Sequence, residues 1–309
     1  MKKIDEMIDR HALRRKLTMW RAIAFLVIMI GLASYYMKRH SIEKTLQFNN
    51  AHIARIKIEG VISYNQDMLD KIREIRENSY IKAVILHINS PGGTVVGGES
   101  FFYALSELNA KKPVIAFMNE VAASAAYMIA LASDHIVAHR GTLTGSIGVL
   151  LQSQEVTELA EKLGIKLESF KSSPFKAAPS PVEKTTPEVE KAIQETIDDI
   201  YLTFTNMVRE RRPMITNENM PLVISGRIFT GAQALDLGIV DQLGTESTAL
   251  EWLQKDKNLS PYLKVYDYDL VEQPSRWEKI VSSIYNTFNS VSNLVEPLSH
   301  GKIFVSKYN

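Results

Sequence analysis

An α/β fold with a mainly parallel sheet and flanking helices is predicted for residues 51–272. Apolar runs of strand length alternate with stretches of helical periodicity. The runs at 83–88 and 113–118 are unbroken, as in strands covered on both faces, and glycine-bearing turns punctuate the series. Right-handed crossovers then lay such strands side by side.

His52 to Gly60 alternates apolar and polar residues before a glycine, the pattern of a half-buried strand. Met68, Ile72, Ile75 and Tyr80 recur at helical spacing. Ala83 to Ile88 is a continuous apolar run that Pro91-Gly92-Gly93 is expected to stop, and Glu99 to Leu108 supplies the next helix. Pro113 to Met118 is the following strand, and the alanines around Ser124 make that segment helix-prone. Asp134 to Ala138 and Ile147 to Leu151 are short strand candidates separated by the glycine-bearing stretch Gly141 to Ser146. A long helix is predicted from Thr185-Thr186-Pro187-Glu188, which has capping-box spacing and an early proline, towards Arg212. Its apolar positions Ile193, Ile197, Ile200, Tyr201, Phe204 and Met207 share one face. Gly226 to Gly244 holds a shorter helix, then Ile239-Val240-Asp241 and a turn.

The 309 residues are 45% hydrophobic, ample for a packed core. A formal net charge of +1 offers no support for nucleic-acid binding. The absence of cysteine excludes disulfides, thiol nucleophiles, zinc–thiolate sites and iron–sulfur clusters together. Neither a metal nor a cofactor is expected.

Ala22 to Met37 carries no charge and ends in two tyrosines. Its length corresponds to about 24 Å of helix, short of the ~30 Å hydrocarbon core unless Thr18 to Trp20 extend it and Arg21 snorkels. Lys2, Lys3, Arg10, Arg14, Arg15, Lys16 and Arg21 precede it, whereas Lys38, Arg39 and Lys44 follow, so residues 1–21 are expected in the cytoplasm. The competing reading is a cleaved secretory signal. The run ends in Tyr35-Tyr36-Met37-Lys38 without a small-x-small site, which favours an uncleaved transmembrane anchor at 22–37 and a linker at 38–50. At the other end, Trp277, Ile280, Val281, Ile284, Phe288, Val291 and Val295 describe an amphipathic helix within 273–309. Its serine- and asparagine-rich polar face suits packing on the domain or a neighbouring protomer better than a lipid surface.

Candidate chemistry converges on three segments. Gly92 and Gly93 follow a buried strand, where residues without a β-carbon let backbone N–H groups meet a developing oxyanion; most Pro-Gly-Gly sequences are plain turns. Ser124 follows the next strand, so parallel pairing brings both segments to the same carboxyl edge of the sheet. A serine among alanines is often only a small residue at a helix contact. An imidazole base in a Ser-His enzyme of this layout falls near Val149, where nothing accepts a proton. His87 sits mid-strand and reads as a satisfied buried imidazole. Lysine remains. A lysine serves as general base only where removal from water favours its neutral form. Lys176, in a proline-stiffened loop among apolar and small residues, is better placed for this than Lys166 or Lys171, the bland alternative being a surface lysine.

ILHINSPGG, MNEVAASAAYMIALASDHIVAH, TLTGSIGVL, ESFKSSPFKAAPSP and SGRIFTGAQALDLGIVDQLG together resemble the signal peptide peptidase A family, in its short, single-repeat form. The resemblance spans roughly residues 52–245. It implies a Clp/crotonase-like fold and a membrane-anchored Ser–Lys protease that degrades cleaved signal peptides, with Ser124 as nucleophile, Lys176 as general base and Gly92 and Gly93 as the oxyanion segment. It also implies homo-oligomeric rings in which serine and lysine come from adjacent protomers, with the domain outside the bacterial cytoplasmic membrane. Ser146 is expected to orient the lysine or, equally, to stabilise its turn. Two departures stand out: Ala125-Ala126 replaces two glycines, which is expected to narrow the pocket, and Ser173-Pro174 replaces a glycine in the lysine loop. Two rival functions are a crotonase-type acyl-CoA enzyme, which would not need the Ser124 hydroxyl, and a non-catalytic membrane-bound scaffold for unfolded chains.

Overall fold

The computed structural model describes residues 19–21, 23–25, 27–29, 31, 32, 35 and 50–270. The sheet contains β1 (His52–Ile62), β2 (Ile81–Gly93), β3 (Val114–Ala123), β4 (His135–Ala138), β5 (Leu143–Gly145), β6 (Ile228–Thr230), β7 (Gln242–Leu243) and β8 (Lys264–Tyr268). The helices are α1 (Gln66–Glu77), α2 (Val95–Asn109), α3 (Ala125–Ala130), α4 (Thr157–Lys162), α5 (Pro187–Arg211), α6 (Met220–Val223), α7 (Gly231–Asp236) and α8 (Glu246–Asp256). The main strand order is β6-β5-β3-β2-β1-β8, and every pairing is parallel except β5 with β6. The predicted mainly parallel α/β architecture is therefore present.

β3 forks the sheet. Its first half, Ile115 to Met118, pairs with β4, and its last three residues, Val121 to Ala123, pair with β5. Between these halves Asn119 to Val121 bulge, because Ile88 faces Met118 while Ser90 faces Ala122. The fork sends β4 and β7 to one side and β5 and β6 to the other, leaving the end of β3 at the junction.

Alternation sorts the side chains into two layers. Ala54, Ile56, Val84, Leu86, Ile88, Ala116 and Met118 face the larger core beneath α1, α2, α3 and α5. Ile53, Ala83, Ile85, Ile115, Phe117 and Val137 face a smaller core closed by Ala249 and Leu253 of α8. Two backbone-directed side chains tie α3 in place: Tyr127 Oη donates to the Ile239 carbonyl (3.0 Å) and Arg211 Nε to the Leu131 carbonyl (2.7 Å). Arg212 and Asp241 form a buried pair (2.8 and 2.9 Å), with Arg212 also donating to Gly238 O and Asp241 accepting from the Ile136 N–H.

Several local expectations are corrected. β2 does not stop at Pro91 but runs through Gly93, since a β-carbon on Gly93 would lie 1.8 Å from the Ile62 carbonyl oxygen and its absence lets β1 pair alongside. Ile147 to Leu151 is not a strand; Leu143–Gly145, inside the expected separator, is, because Ala123 pairs with Gly145. The long helix starts with Thr186 as cap, accepting from the Val189 N–H, so the capping box has only its forward half. Of the apolar positions expected on one α5 face, only Phe204 and Met207 are buried; Ile193, Ile197, Ile200 and Tyr201 are half-buried. His87 is not satisfied: its buried Nδ1, beside Phe117, has no hydrogen-bond partner among the described residues.

The described residues between 19 and 35 are helical, and Trp20, Phe25, Val27, Ile28 and Leu32 are exposed. No helix among the described residues is long and apolar enough to cross a membrane. The expected anchor at 22–37 lies partly outside the described residues, and nearly all of the linker and the whole 273–309 segment lie outside them.

Removing Asp241 strands a guanidinium that is 4% exposed. Asp241→Ala is expected to cost about 3–5 kcal/mol in urea unfolding; a loss below about 1 kcal/mol contradicts a buried, mutually dependent pair. Burial pushes the His87 imidazole below its ordinary pKa, so the unfolded chain accepts that proton more readily. The residue's contribution is intact above the unfolded value of about 6.5 and is lost as the pH falls towards the folded one. His87→Leu is expected to flatten the dependence of the urea midpoint on pH between about 7 and 5, and an unchanged slope places the acid sensitivity elsewhere.

Candidate active site

Ser124 stands on the turn between β3 and α3 with φ 54° and ψ −122°, a conformation disfavoured for any residue with a side chain. Its N–H donates to the Gly145 carbonyl (2.9 Å) and its carbonyl accepts from the Met128 N–H (3.0 Å). Thr144 Oγ1 anchors the same junction by donating to Ala122 O (2.7 Å). A strained strand-to-helix turn of this kind lifts a serine hydroxyl clear of the backbone. Ser124 is half-buried, and among the described residues its Oγ has no hydrogen-bond partner.

Parallel pairing brings Gly92 beside it, as expected from the two segments' shared sheet edge. Gly92 has φ 113°, and a β-carbon there would lie 2.8 Å from Ser124 Cβ and 2.9 Å from Ala123 O. Its N–H does not face the hydroxyl: it donates to Ser90 Oγ (3.1 Å). Gly92 therefore supplies clearance, and the expectation that it donates to an oxyanion is corrected. Gly93 differs. The Thr94 N–H, one residue on, turns towards β1 and donates to Ile62 O (2.8 Å), so in extended backbone the N–H of Gly93, an exposed residue, points the opposite way, towards the β3 side. A second donor escaped the sequence reading. The Ala125 N–H is the first of α3 and has no intrahelical acceptor, and its nitrogen is 3.3 Å from where a Gly92 β-carbon would sit. The signal that could have found it is general: the residue after a serine on such a turn supplies an N–H to the same oxyanion.

Ala125 and Ala126 are buried in the core, and a β-carbon on Gly98 of α2 would lie 2.9 Å from Ala125 Cβ. The Ala125 methyl group therefore packs against α2 and does not narrow a pocket. Ser146, at φ 51°, directly follows the Gly145 whose carbonyl takes the Ser124 N–H; its own N–H donates to Arg227 O (2.8 Å). It is adjacent to Ser124 and makes no hydrogen bond to Lys176 among the described residues.

Lys176 is exposed, so the expected desolvation does not occur within one chain. Its loop is ordered by short-range bonds, with Lys176 N–H donating to Ser173 O (3.0 Å), Ala177 at φ 57° and Lys171 paired with Glu183. The Lys171 ammonium holds the Glu183 carboxyl below its ordinary range. Among the described residues none covers the lysine side chain, and its Nζ has no partner there. A cleft of about 240 Å³ runs along this loop, lined by Lys171, Ala178, Glu183, Lys184 and Val189, and Ser124 does not contribute to it. The described histidines stand elsewhere: His52 opens β1, His87 and His135 pair with the first half of β3, and His139 meets the Phe117 ring edge-on, several residues short of Ser124.

A serine on a strained turn, with the first N–H of α3 beside it and, among the described residues, no imidazole near, is a geometry suited to acyl transfer. The chain belongs to peptidase family S49, whose pattern matches residues 106–260, and serine proteolysis is the activity of its class. It is 37% identical over 224 residues to "Putative protease slr0021" of Synechocystis sp., covering 72% of this chain and 79% of that one. It is 35% identical over 262 residues to "Putative signal peptide peptidase SppA" of Enterococcus faecium, covering 79% and 75%. A solved "1510-N membrane-bound stomatin-specific protease" is similar over 77% of this chain and 99% of its own, at 19% identity and a TM-score of 0.44.

Gly92→Ala forces a methyl group against Ser124 at a φ that only glycine adopts freely. The backbone alone is expected to cost about 1–3 kcal/mol, and labelling of Ser124 by a fluorophosphonate is expected to stop. Wild-type labelling of a folded Gly92→Ala protein contradicts the close approach described here.

Proposed function

We propose that this protein is a membrane-anchored serine endopeptidase that degrades cleaved signal peptides, with Ser124 as nucleophile and Lys176 of an adjacent protomer as general base. The observation that carries the reading is the division of the site. The serine, its strained turn and the N–H groups of Gly93 and Ala125 are assembled within one chain, while the lysine is exposed on a loop that the described residues leave uncovered. A second protomer in a homo-oligomeric ring both covers the lysine and completes the site. Leu150, Leu159, Leu163, Ile165, Phe170 and Phe175 leave an apolar surface at and before the lysine loop, which supports burial against another copy.

In the reaction, neutral Lys176 takes the Ser124 proton as the hydroxyl attacks a peptide carbonyl. Gly93 and Ala125 N–H groups hold the oxyanion, the lysinium protonates the departing amine, and water resolves the ester by the same route. No cofactor enters. Extended apolar peptides are the substrate class, since a signal peptide offers little besides its apolar segment. The uncharged run from Ala22 to Met37 and the basic residues before it support an anchor in the bacterial cytoplasmic membrane, with residues 1–21 cytoplasmic and the domain outside. The family to which the chain belongs supports proteolysis over acyl-CoA chemistry or a non-catalytic scaffold.

Ser124→Ala and Lys176→Ala are each expected to lower turnover of a fluorogenic apolar peptide by at least about 10³-fold without unfolding the protein. Co-assembled from equal amounts, the two inactive variants are expected to regain about a quarter of wild-type turnover, the fraction of heterologous contacts that join an intact serine to an intact lysine. No recovery in a mixed oligomer overturns the shared site, and activity of Lys176→Ala alone removes that residue as the base.

A further inference from the structure

The Ser90 side chain is fully buried at the point where β2 leaves register with both neighbours. Towards β1, Glu59 faces Asn89 but Val61 faces Gly92, so β2 carries one extra residue around Ser90 and Pro91. Towards β3, Ile88 faces Met118 and Ser90 faces Ala122, so the extra residues lie on β3. Such bulges interrupt ladder hydrogen bonds and re-aim the backbone. Two consecutive side chains take up the interrupted bonds. Asn89 Oδ1 accepts from the Val121 N–H (3.2 Å), and Ser90 Oγ donates to Gly60 O (2.6 Å) while accepting from the Gly92 N–H (3.1 Å).

The consequence lies one peptide further on. Ser90 Oγ also lies 3.4 Å from Gly92 O, so both the N–H and the carbonyl of Gly92 are turned to the buried side. In a planar trans peptide the N–H is opposite the carbonyl, so a Gly92 carbonyl held inward directs the Gly93 N–H outward, on the Ser124 side. Glycine at φ 113° has wide rotational freedom, and nothing in Gly92 itself selects this orientation.

We propose that Ser90 is a positioning residue for proteolysis: its hydroxyl, bridging Gly60 and Gly92, fixes the direction of the Gly93 N–H that stabilises the oxyanion. This rests on the serine-protease reading above, with Gly93 as donor.

The test uses the full-length, assembled protein and a fluorogenic apolar peptide, with kcat expressed per Ser124 titrated by a fluorophosphonate. A peptide aldehyde, which forms a tetrahedral adduct on serine, reports on the oxyanion donors. Ser90→Ala is expected to lower kcat by about 10–100-fold, less than the complete loss of a donor, with KM within about twofold. Affinity for the aldehyde is expected to fall by a similar factor. Ser90→Cys, close in volume and a weaker hydrogen-bonding group, is expected to lie between the two and keeps the test open if Ser90→Ala does not fold. A purely structural role lowers the titrated fraction or the melting temperature and leaves kcat per titrated site and aldehyde affinity unchanged; that result in either folded variant overturns the inference alone. Peptide turnover retained by Ser124→Ala, or absent from the wild type, overturns the protease reading and this inference with it.

Discussion

The end of β2 approaches β3 and β1 more closely than any side chain permits, and the rest of the site follows from that approach. At Gly92 a β-carbon would meet Ser124, and at Gly93 it would meet the Ile62 carbonyl. Gly98 of α2 repeats the condition against Ala125. Three positions without side chains thus bring a strand end, the serine turn and two helices into contact, and the space that remains is lined by backbone N–H groups. Donors of this kind are held by the fold itself and need no reorganisation when charge develops beside them.

Holding Ser124 at φ 54° has a cost, and its neighbours over-determine the conformation. The Gly145 carbonyl takes its N–H, Thr144 ties β5 to β3, and α3 is locked by Tyr127 below and Arg211 at its end. The Arg212–Asp241 pair closes the same corner, joining the end of α5 to β4 through the Ile136 N–H. The lysine loop is built differently. It is held by short-range bonds, by the Val156 N–H donating to Pro181 O and by the partly buried Lys171–Glu183 pair, and its Phe170 and Phe175 are exposed.

Much of this was legible in the residues. Unbroken apolar runs announced β2 and β3, helical spacing of apolar residues announced α1 and α5, and an early proline after a threonine marked the start of α5. The pairing of Pro-Gly-Gly with Ser124 at one sheet edge followed from parallel topology alone. Where sequence reasoning failed, long-range contacts had overridden local pattern. Leu143–Gly145 became a strand because the end of β3 needed a partner, although Ile147 to Leu151 is the more apolar run. Gly92 looked like a donor, but a bulge invisible in sequence turned its N–H onto Ser90. The buried Nδ1 of His87, unpartnered among the described residues, likewise depends on which residues lie across the sheet.

Residue type and spacing were sufficient to determine the α/β class, the parallel sheet and the meeting of the Gly92 and Ser124 segments at one sheet edge, because these depend on periodicity, side-chain volume and chain order; the role of Ser124 came with the family resemblance. Which N–H groups face Ser124, which way the Ala125 methyl group points, and whether Lys176 is covered were decided only by tertiary structure. Those properties belong to directions and enclosure, and they are set by segments far along the chain, such as Arg227 just before β6 and the turn at Ile239, 112 residues from Tyr127.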